Sequence, residues 1–210
     1  MAPKTGSATS PYERLYRARK NFILWGKQPG RLIVRLSKYA GHGHVLDAGC
    51  GDGKNALYLE QRGYKVYGVD SSRAAIDGLR NRFAGAHWNM TGRYEVLDVQ
   101  QLTIEGYFDI LVSYGLFHCL AVEARLELHR RLQAKVRPGG IMVFCSLTSH
   151  LSMPPDHGTD DILLPDDTEV AHILHGWQIE HFEDGIFEEE HQPVIGLHKH
   201  SAVWVIARRT

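Results

Sequence analysis

The stretch Val45-Leu46-Asp47-Ala48-Gly49-Cys50-Gly51-Asp52-Gly53 follows a short apolar run and precedes a helical pattern. Its three glycines fall within five positions, so the backbone can turn sharply there and come close to a ligand. Asp47 stands two residues before the first glycine and places a carboxylate inside the same turn. A carboxylate repels phosphate, which is the usual ligand of glycine-rich turns at the start of a helix. The turn therefore favours a cationic ligand.

The glycine spacing separates this turn from the fingerprint of dinucleotide-binding folds. That fingerprint is G-x-G-x-x-G, in which the third glycine allows close packing of helix on strand. Gly49 and Gly51 would require a third glycine at position 54, where the chain has Lys54. The glycines run G-x-G-x-G instead, so a nicotinamide oxidoreductase is disfavoured.

An acidic residue follows the turn at the distance that nucleotide-binding folds use for the ribose. The apolar strand pattern over 65–69 ends at Asp70, 21 residues after Gly49. In such folds an acid about 20 residues beyond the glycines accepts hydrogen bonds from the ribose hydroxyls. The alternative is that Asp70 only ends a strand or caps the next helix. The preceding glycine turn favours the ribose role.

Strand and helix patterns alternate through the middle of the chain, which predicts a parallel α/β sheet. Strands are expected at 44–48, 65–70, 94–97, 108–112 and 141–145. Helices are expected at 12–22, 32–39, 54–62, 72–83 and 124–136, the last one ended by Pro138-Gly139-Gly140.

The pattern changes after residue 146. Residues 147–167 form an irregular stretch that includes the acids Asp156, Asp160, Asp161 and Asp166, followed by a short helix at 168–175. The acids favour a cationic acceptor, although Asp166 has the alternative role of capping that helix. Two strands at 178–187 and 201–207 follow without a helix between them, so they should pair antiparallel.

These blocks together resemble the class I S-adenosylmethionine (SAM)-dependent methyltransferases. Five motifs carry the resemblance in the family's order, namely 47–53, 68–72, 96–99, 107–113 and 137–140. A finer likeness to the small-molecule branch of tellurite-resistance and thiopurine methyltransferases rests on residues 24–26, 55–59 and 201–204. The resemblance implies an α/β fold, with one Rossmann-like domain over residues 11–210. Its mostly parallel seven-stranded sheet would have the order 3-2-1-4-5-7-6, with strand 7 antiparallel and helices on both faces.

The resemblance implies SAM as the cofactor and S-adenosylhomocysteine as its product, bound outside the carboxyl ends of the strands. Asp47 would hold the methionine ammonium, Asp70 the ribose hydroxyls, and Asp98 the adenine amino group. The backbone N–H of Val99 would meet the adenine ring. The full set of expected cofactor-binding residues is Trp25, Asp47, Gly49, Cys50, Gly51, Asp70, Ser71, Asp98, Val99 and Ser113.

The expected reaction is methyl transfer to a nucleophilic nitrogen, oxygen, sulfur or heavier chalcogen atom of a small-molecule acceptor. Ser113 and Tyr114, placed after the fourth strand, would line the methyl-transfer face, and Trp25 would cover the cofactor. The alternative hypothesis is a non-catalytic SAM-binding subunit or sensor, since a fold does not guarantee chemistry.

Thirteen histidines are many for a chain of this length. His118 follows the fourth strand and His150 opens the irregular stretch, and these two are the candidate catalytic residues, as general bases or substrate contacts. No metal is expected, because the histidine spacing matches no known motif; the only candidate ligands are His191, His198 and His200. Hairpin topology should place His198 and a loop at 188–191 at the mouth of the site. Solvated or structurally bonded histidines are the alternative.

Length and composition limit the remaining possibilities. The 210 residues are 43% hydrophobic and carry 24 basic and 24 acidic side chains, which fits one domain and predicts no nucleic-acid partner. The three cysteines form no C-x-x-C pair, and no apolar run reaches the roughly 18 residues of a membrane span. We therefore expect a reduced cytoplasmic protein without membrane contact, as a monomer or homodimer. Residues 1–10 are small and polar and are expected to form a disordered tail.

Overall fold

A seven-stranded sheet forms the centre of the computed structural model, which describes residues 11–18, 26–152, 163–191 and 195–210. The strand order is β3-β2-β1-β4-β5-β7-β6, as the resemblance implies. Neighbouring strands from β3 through β5 pair in parallel, and β7 runs antiparallel to both β5 and β6. The strands are β1 His44–Ala48, β2 Lys65–Asp70, β3 Arg93–Val96, β4 Phe108–Tyr114, β5 Val136–Leu147, β6 Trp177–His191 and β7 Ile195–Arg209.

Six α-helices and three short 3-10 helices connect the strands within the described ranges. The α-helices are α1 Pro11–Ala18, α2 Arg31–Arg35, α3 Lys54–Glu60, α4 Arg73–Gly85, α5 Val122–Ala134 and α6 Asp167–Leu174. The 3-10 helices cover Leu36–Lys38, Val99–Gln101 and Phe117–Cys119. Ser72 caps α4 by accepting from the Ala75 N–H, and Asp166 caps α6 by accepting from the Glu169 N–H. The predicted first helix and the predicted irregular stretch lie partly outside the described residues. Residues 1–10 lie wholly outside them.

Alternation along the strands divides the core into two layers, one on each face of the sheet. Val45 belongs to the layer that is completed by Leu36, by Leu59 of α3 and by Ile76 of α4. The next residue, Leu46, belongs to the opposite layer with α5 and α6, whose contributions are Leu128, Leu132, Val170 and Ile173. Because successive strand residues face opposite sides, both layers are filled by apolar side chains from the same strands. None of the described helices is long and apolar enough to cross a membrane.

Pro138-Gly139-Gly140 does not end α5, so that prediction is wrong. The helix ends at Ala134, and β5 already begins at Val136. The register against β4 moves from Phe108↔Val136 to Ile110↔Ile141, so the extra residues of β5 form an irregularity opposite Asp109. Proline can lie there because a bulge does not require its missing N–H.

The last two strands are much longer than the sequence predicts. Residues 188–191 all belong to β6, and Glu188, Glu189 and His191 pair with β7, so the expected loop at 188–191 is strand throughout. Exposed positions alternate with partly buried ones along β6, but residue type does not follow, because the exposed residues 182, 184, 186 and 188 include the apolar Phe182 and Ile186. An edge strand can extend without a regular alternation of apolar and polar residues, which is why the pattern underestimates its length.

Arg125 of α5 is a wholly buried cation that ties α5 to α6 and to the chain before it. Its guanidinium contacts both carboxylate oxygens of Glu169 at 3.2 and 3.1 Å and donates to the carbonyls of Leu120 and Leu163. The side chain of Arg125 has no exposed surface. The free energy of this contact depends on the carboxylate, because a buried charge without its partner is strongly unfavourable.

Replacing Glu169 by Ala should therefore lower the free energy of unfolding by about 3–5 kcal/mol. Glu127→Ala is the matched control, since Glu127 pairs with Arg130 across 3.8 Å on the exposed side of α5, the helix that carries Arg125. The control should change stability by no more than about 0.5 kcal/mol. Urea unfolding measures the free energy of unfolding of both variants. Equal losses would show that the buried pair contributes no more to stability than the exposed pair.

Candidate functional site

The glycine turn after β1 is held against the end of β2. The N–H groups of Gly49 and Cys50 both donate to the carbonyl of Val69, at 2.9 and 3.0 Å. Gly49, Gly51 and Gly53 have φ values of 75°, 55° and 78°, which side-chain-bearing residues rarely adopt. A Cβ at Gly53 would lie 2.6 Å from the Leu79 side chain. Both the backbone conformation and the close packing therefore require glycine here.

Asp47 places a buried carboxylate directly beneath this turn. Only 1% of its surface is exposed, and none of the described residues hydrogen-bonds its Oδ2. Burial raises the pKa of Asp47 to about 7, and the charge of Asp70 acts in the same direction. An ionised carboxylate in this position is unfavourable unless a cation or a set of donors approaches it.

Asp70 links the turn to the following helix through both of its carboxylate oxygens. Oδ2 accepts from the Gly51 N–H and Oδ1 accepts from the Ser72 N–H, each at 2.9 Å. Burial raises the pKa of Asp70, although the two amide donors act in the opposite direction. A carboxylate has about four lone-pair sites, so these two bonds leave room for hydroxyl donors.

Helix α1 is anchored beside Asp70, a contact that the sequence analysis missed. Glu13 is buried and accepts from the Ser72 hydroxyl at 2.5 Å and from the Ala74 N–H at 3.2 Å. Hydrogen bonds from Ser72, Arg17 and Ala74 outweigh burial and lower the pKa of Glu13. The residues are about 60 positions apart, so no local pattern could have indicated the pair. Their contact holds α1 over the start of α4.

The predicted adenine-side residues lie at the same edge of the sheet, after β3. Asp98 is half-buried and accepts from the Gln100 N–H at 2.9 Å, so it caps the 3-10 helix that begins at the buried Val99. Ser71 is exposed beside the buried Ser72. Trp25 lies outside the described residues.

Ser113 and Tyr114 lie within β4, not after it, so their predicted position is wrong. The strand continues through Tyr114 because Ser113 pairs with Phe144 and Tyr114 with Cys145 of β5. Ser113 is 1% exposed, and its Oγ has no hydrogen-bond partner in the part of the chain that the structure describes. A buried hydroxyl in this state is available to a bound molecule.

His118 is buried at the turn after β4 and has a structural bond. Its Nδ1 accepts from the Leu147 N–H at 3.2 Å, so the neutral ring carries its proton on Nε2. Burial lowers the pKa of His118 to about 3, and electrostatic interactions with Arg125 and His200 act in the same direction. In this state the ring donates at Nε2, which disfavours the general-base role; the role stays a prediction.

His150 is partly exposed and lies between two carboxylates. Its Nε2 lies 2.8 Å from Asp167 at the start of α6, and its Nδ1 lies 3.8 Å from Asp184 of β6. These two carboxylates explain the position of His150 without a bound substrate. Its catalytic role also stays a prediction.

Two of the three histidines proposed as metal candidates come together on β7. His198 and His200 share a strand face, as alternation predicts, and their ring centroids are 4.7 Å apart. Glu189 of β6 completes a group whose ligand atoms all lie within 4.8 Å of one another. The side chain of His191 lies outside the described residues.

Lys54 is a further candidate that the sequence analysis used only to exclude a dinucleotide site. It opens α3 immediately after the glycine turn. Burial lowers the pKa of Lys54, whereas the charges of Asp52 and Glu189 act in the opposite direction. Glu189 belongs to β6, so a charge from the last hairpin acts on the lysine that follows the turn. A lysine directly after the last glycine was the available signal.

Comparison with known proteins agrees with this architecture. A family model described as a methyltransferase domain matches residues 45–140. The 2-heptyl-1-hydroxyquinolin-4(1H)-one methyltransferase of Mycobacteroides abscessus is 33% identical over 134 residues, which cover 61% of this chain and 57% of that protein. The probable SAM-dependent methyltransferase TehB of Haemophilus influenzae is 26% identical over 80% of this chain and 54% of its own. The chain thus spans little more than half the length of these curated relatives.

Solved structures show the same fold. The crystal structure of TehB from Haemophilus influenzae superposes with a TM-score of 0.75 at 19% identity, over 95% of this chain and 67% of that one. A structure concerned with conversion of a disulfide bond into a thioacetal group during echinomycin biosynthesis gives 0.73 at 26% identity, over 96% and 91%. The glycine turn, the sheet order and these matches lead to one conclusion: the chain has the fold of the SAM-dependent methyltransferases and is similar in sequence to members of that family, TehB among them.

Proposed function

We propose that this protein transfers a methyl group from SAM to a nucleophilic nitrogen, oxygen, sulfur or heavier chalcogen atom of a small-molecule acceptor. The observation that carries the proposal is the buried carboxylate of Asp47, whose Oδ2 has no hydrogen-bond partner among the described residues. SAM bears an ammonium and a sulfonium group, and a cation of this kind satisfies a buried anion. The residues present therefore fit the cofactor of the family.

The remaining cofactor contacts follow from the same edge of the sheet. Asp70 would accept from the ribose hydroxyls with the lone pairs that Gly51 and Ser72 leave free. Asp98 and the N–H of Val99 would receive the adenine ring. The positive-φ glycines would allow the backbone to lie against the nucleoside, with Cys50 and Ser71 beside it and Trp25 over it.

The chain's contribution to the reaction is mainly positioning. SAM supplies an activated methyl group, and the protein needs to align the acceptor with it, which can lower the barrier by about 7–11 kcal/mol. The buried Ser113 hydroxyl and Lys54 are the polar groups best placed to orient an acceptor. His118 would donate from Nε2 and not accept, which favours acceptors that react in an already deprotonated form, such as a thiolate or an uncharged amine.

Relatives with named substrates support a small acceptor. Their names refer to a hydroxyquinolone, trans-aconitate and malonyl-acyl carrier protein. The equal numbers of basic and acidic residues give no indication of a nucleic-acid surface.

Asp47→Asn should make the cofactor-free protein more stable at neutral pH, because it removes an unfavourable buried charge. The pKa of Asp47 rises from 3.8 to about 7 on folding. Its contribution to stability is therefore fully present below about pH 4 and is lost as the pH rises through about 7. As the pH rises from about 4 to about 7, the free energy of unfolding of the variant should increase relative to wild type by at least about 1 kcal/mol, or roughly 2–4 °C in Tm.

Thermal unfolding at several pH values measures this difference, with Asp77→Asn on the exposed surface of α4 as the control. The Tm of the control should vary with pH in parallel with the Tm of wild type. If the Tm of Asp47→Asn also varies with pH in parallel with the Tm of wild type, Asp47 is not the destabilising buried charge described above.

Turnover tests the function itself. The protein incubated with SAM and a panel of thiols, amines and phenols should release S-adenosylhomocysteine with at least one class of acceptor. Calorimetry on the same sample should show binding of SAM and none of NADH. Binding of SAM without turnover on any acceptor would favour the non-catalytic alternative, and binding of NADH would contradict the assignment of the turn.

A further inference from the structure

A group of three side chains with metal-binding chemistry lies on the β6–β7 hairpin. We propose that Glu189, His198 and His200 bind a divalent first-row transition-metal ion such as Zn²⁺. Each offers one ligand atom, and these atoms lie within 4.8 Å of one another. The two imidazole rings are nearly perpendicular, at 86°, so they do not stack and both nitrogens can turn toward a common point.

Strand geometry brings these residues together. Glu189 lies directly opposite His198 in the β6–β7 register, and His200 is two positions further along the same strand face. The neighbours Glu188 and Lys199 occupy the other face, where both are exposed and lie 3.7 Å apart. Ligands carried by paired strands are held more accurately than ligands on loops.

The ring orientation of His198 suits a metal ligand. Its Nδ1 lies 2.7 Å from the carbonyl oxygen of Gly196 and must donate to it, since a carbonyl can only accept. In the neutral ring the proton therefore sits on Nδ1, and Nε2 carries the lone pair. Metal-bound histidines commonly use this arrangement, in which a backbone carbonyl fixes the tautomer of the ring.

His200 is enclosed on the opposite side. It is 3% exposed and packs against the Phe187 ring with centroids 5.6 Å apart. Phe187 in turn contacts Trp204 edge-on at 5.4 Å. An apolar enclosure of this kind strengthens the electrostatic attraction between a cation and its ligands.

The donor set identifies the class of ion. Two imidazoles and one carboxylate form the ligand set of catalytic zinc sites and of non-haem iron(II) sites, both of which keep open positions. Tetrahedral bonds of about 2.0–2.1 Å hold ligands roughly 3.4 Å apart, so the side chains need to close by no more than about 1.4 Å. Magnesium and calcium prefer oxygen ligands and fit this set poorly.

The position relates the ion to the proposed reaction. Two residues beyond His200, Ala202 pairs with Leu147 at the end of β5, and the Leu147 N–H donates to His118. The group therefore lies at the carboxyl edge of the sheet, which also carries the glycine turn. On the basis of the proposed function, the open position of the ion would bind an anionic oxygen or sulfur atom of the acceptor. Metal binding itself does not depend on that function.

Direct titration tests the proposal. The untagged full chain, freed of metal with a chelator and then dialysed, is titrated with Zn²⁺ by calorimetry and with Co²⁺ by visible absorption. We expect one ion per chain and the absorption bands of cobalt in a low-symmetry nitrogen and oxygen environment. Glu189→Gln and His198→Gln should each weaken Zn²⁺ binding by at least about 100-fold, since loss of even a supporting contact costs about 10–100-fold.

Glu188→Gln is the matched control, because it removes the same charge one residue away on the other strand face. Its Zn²⁺ affinity should equal that of wild type. Thermal unfolding of every variant identifies any that fails to fold. If one ligand variant fails to fold, the other alone is sufficient for the test. Absence of stoichiometric Zn²⁺ binding by wild type, or equal losses in Glu188→Gln and the ligand variants, would overturn the proposal.

Calorimetry with SAM on the same samples separates this proposal from the proposed function. A chain that binds SAM but not Zn²⁺ overturns the metal site and leaves the methyltransferase assignment intact. A chain that binds Zn²⁺ through Glu189 and His198 but not SAM supports the metal site and contradicts the proposed function.

Discussion

The arrangement of this site depends on one electrostatic constraint, the burial of the Asp47 carboxylate close to Asp70. The pKa of Asp47 rises to about 7 because water is excluded and because a second acid lies nearby. Such an arrangement is unfavourable in the protein by itself and becomes favourable when a cation enters. A site of this kind gives up stability for binding, which is a common relation between folding and function.

The surrounding contacts hold the second acid in place, so that it cannot turn away from the first. Asp70 is fixed by the N–H groups of Gly51 and Ser72, and Ser72 is fixed by Glu13 of the first helix. This chain of hydrogen bonds connects the glycine turn, the end of β2, the start of α4 and α1. A change in any member alters the geometry around the cofactor position, because the members share donors and acceptors.

The sequence predicted much of the fold because the decisive signals are local. The bounds of β1 and the cap at Ser72 agree with the structure, since apolar runs, capping residues and glycine turns act over a few positions. The sheet order also agrees, but it was implied by the family resemblance and not by a local signal. The predictions for the position of Pro138 and for the length of the final hairpin were wrong. Both depend on partner strands, namely the irregular β4–β5 register and the pairing of polar residues on an edge.

The candidate site shows the same division. The turn, Asp47 and Asp70 were recognised from spacing, whereas the Glu13–Ser72 contact and the place of Glu189 beside His198 and His200 were not. These groups meet only through the tertiary structure, and their sequence separations carry no pattern. Lys54 had a visible signal, its position directly after the turn, but its relation to β6 requires the folded sheet.

Proton release on cofactor binding tests the central claim most directly. At pH 6 a carboxyl with a pKa of about 7 is mostly protonated, and a bound cation should drive its proton into the solvent. Calorimetric titration with SAM in two buffers of different ionisation enthalpy should show close to one proton released by wild type and almost none by Asp47→Asn, with weaker binding by the variant. Equal proton release and equal affinity in the two proteins would contradict the account.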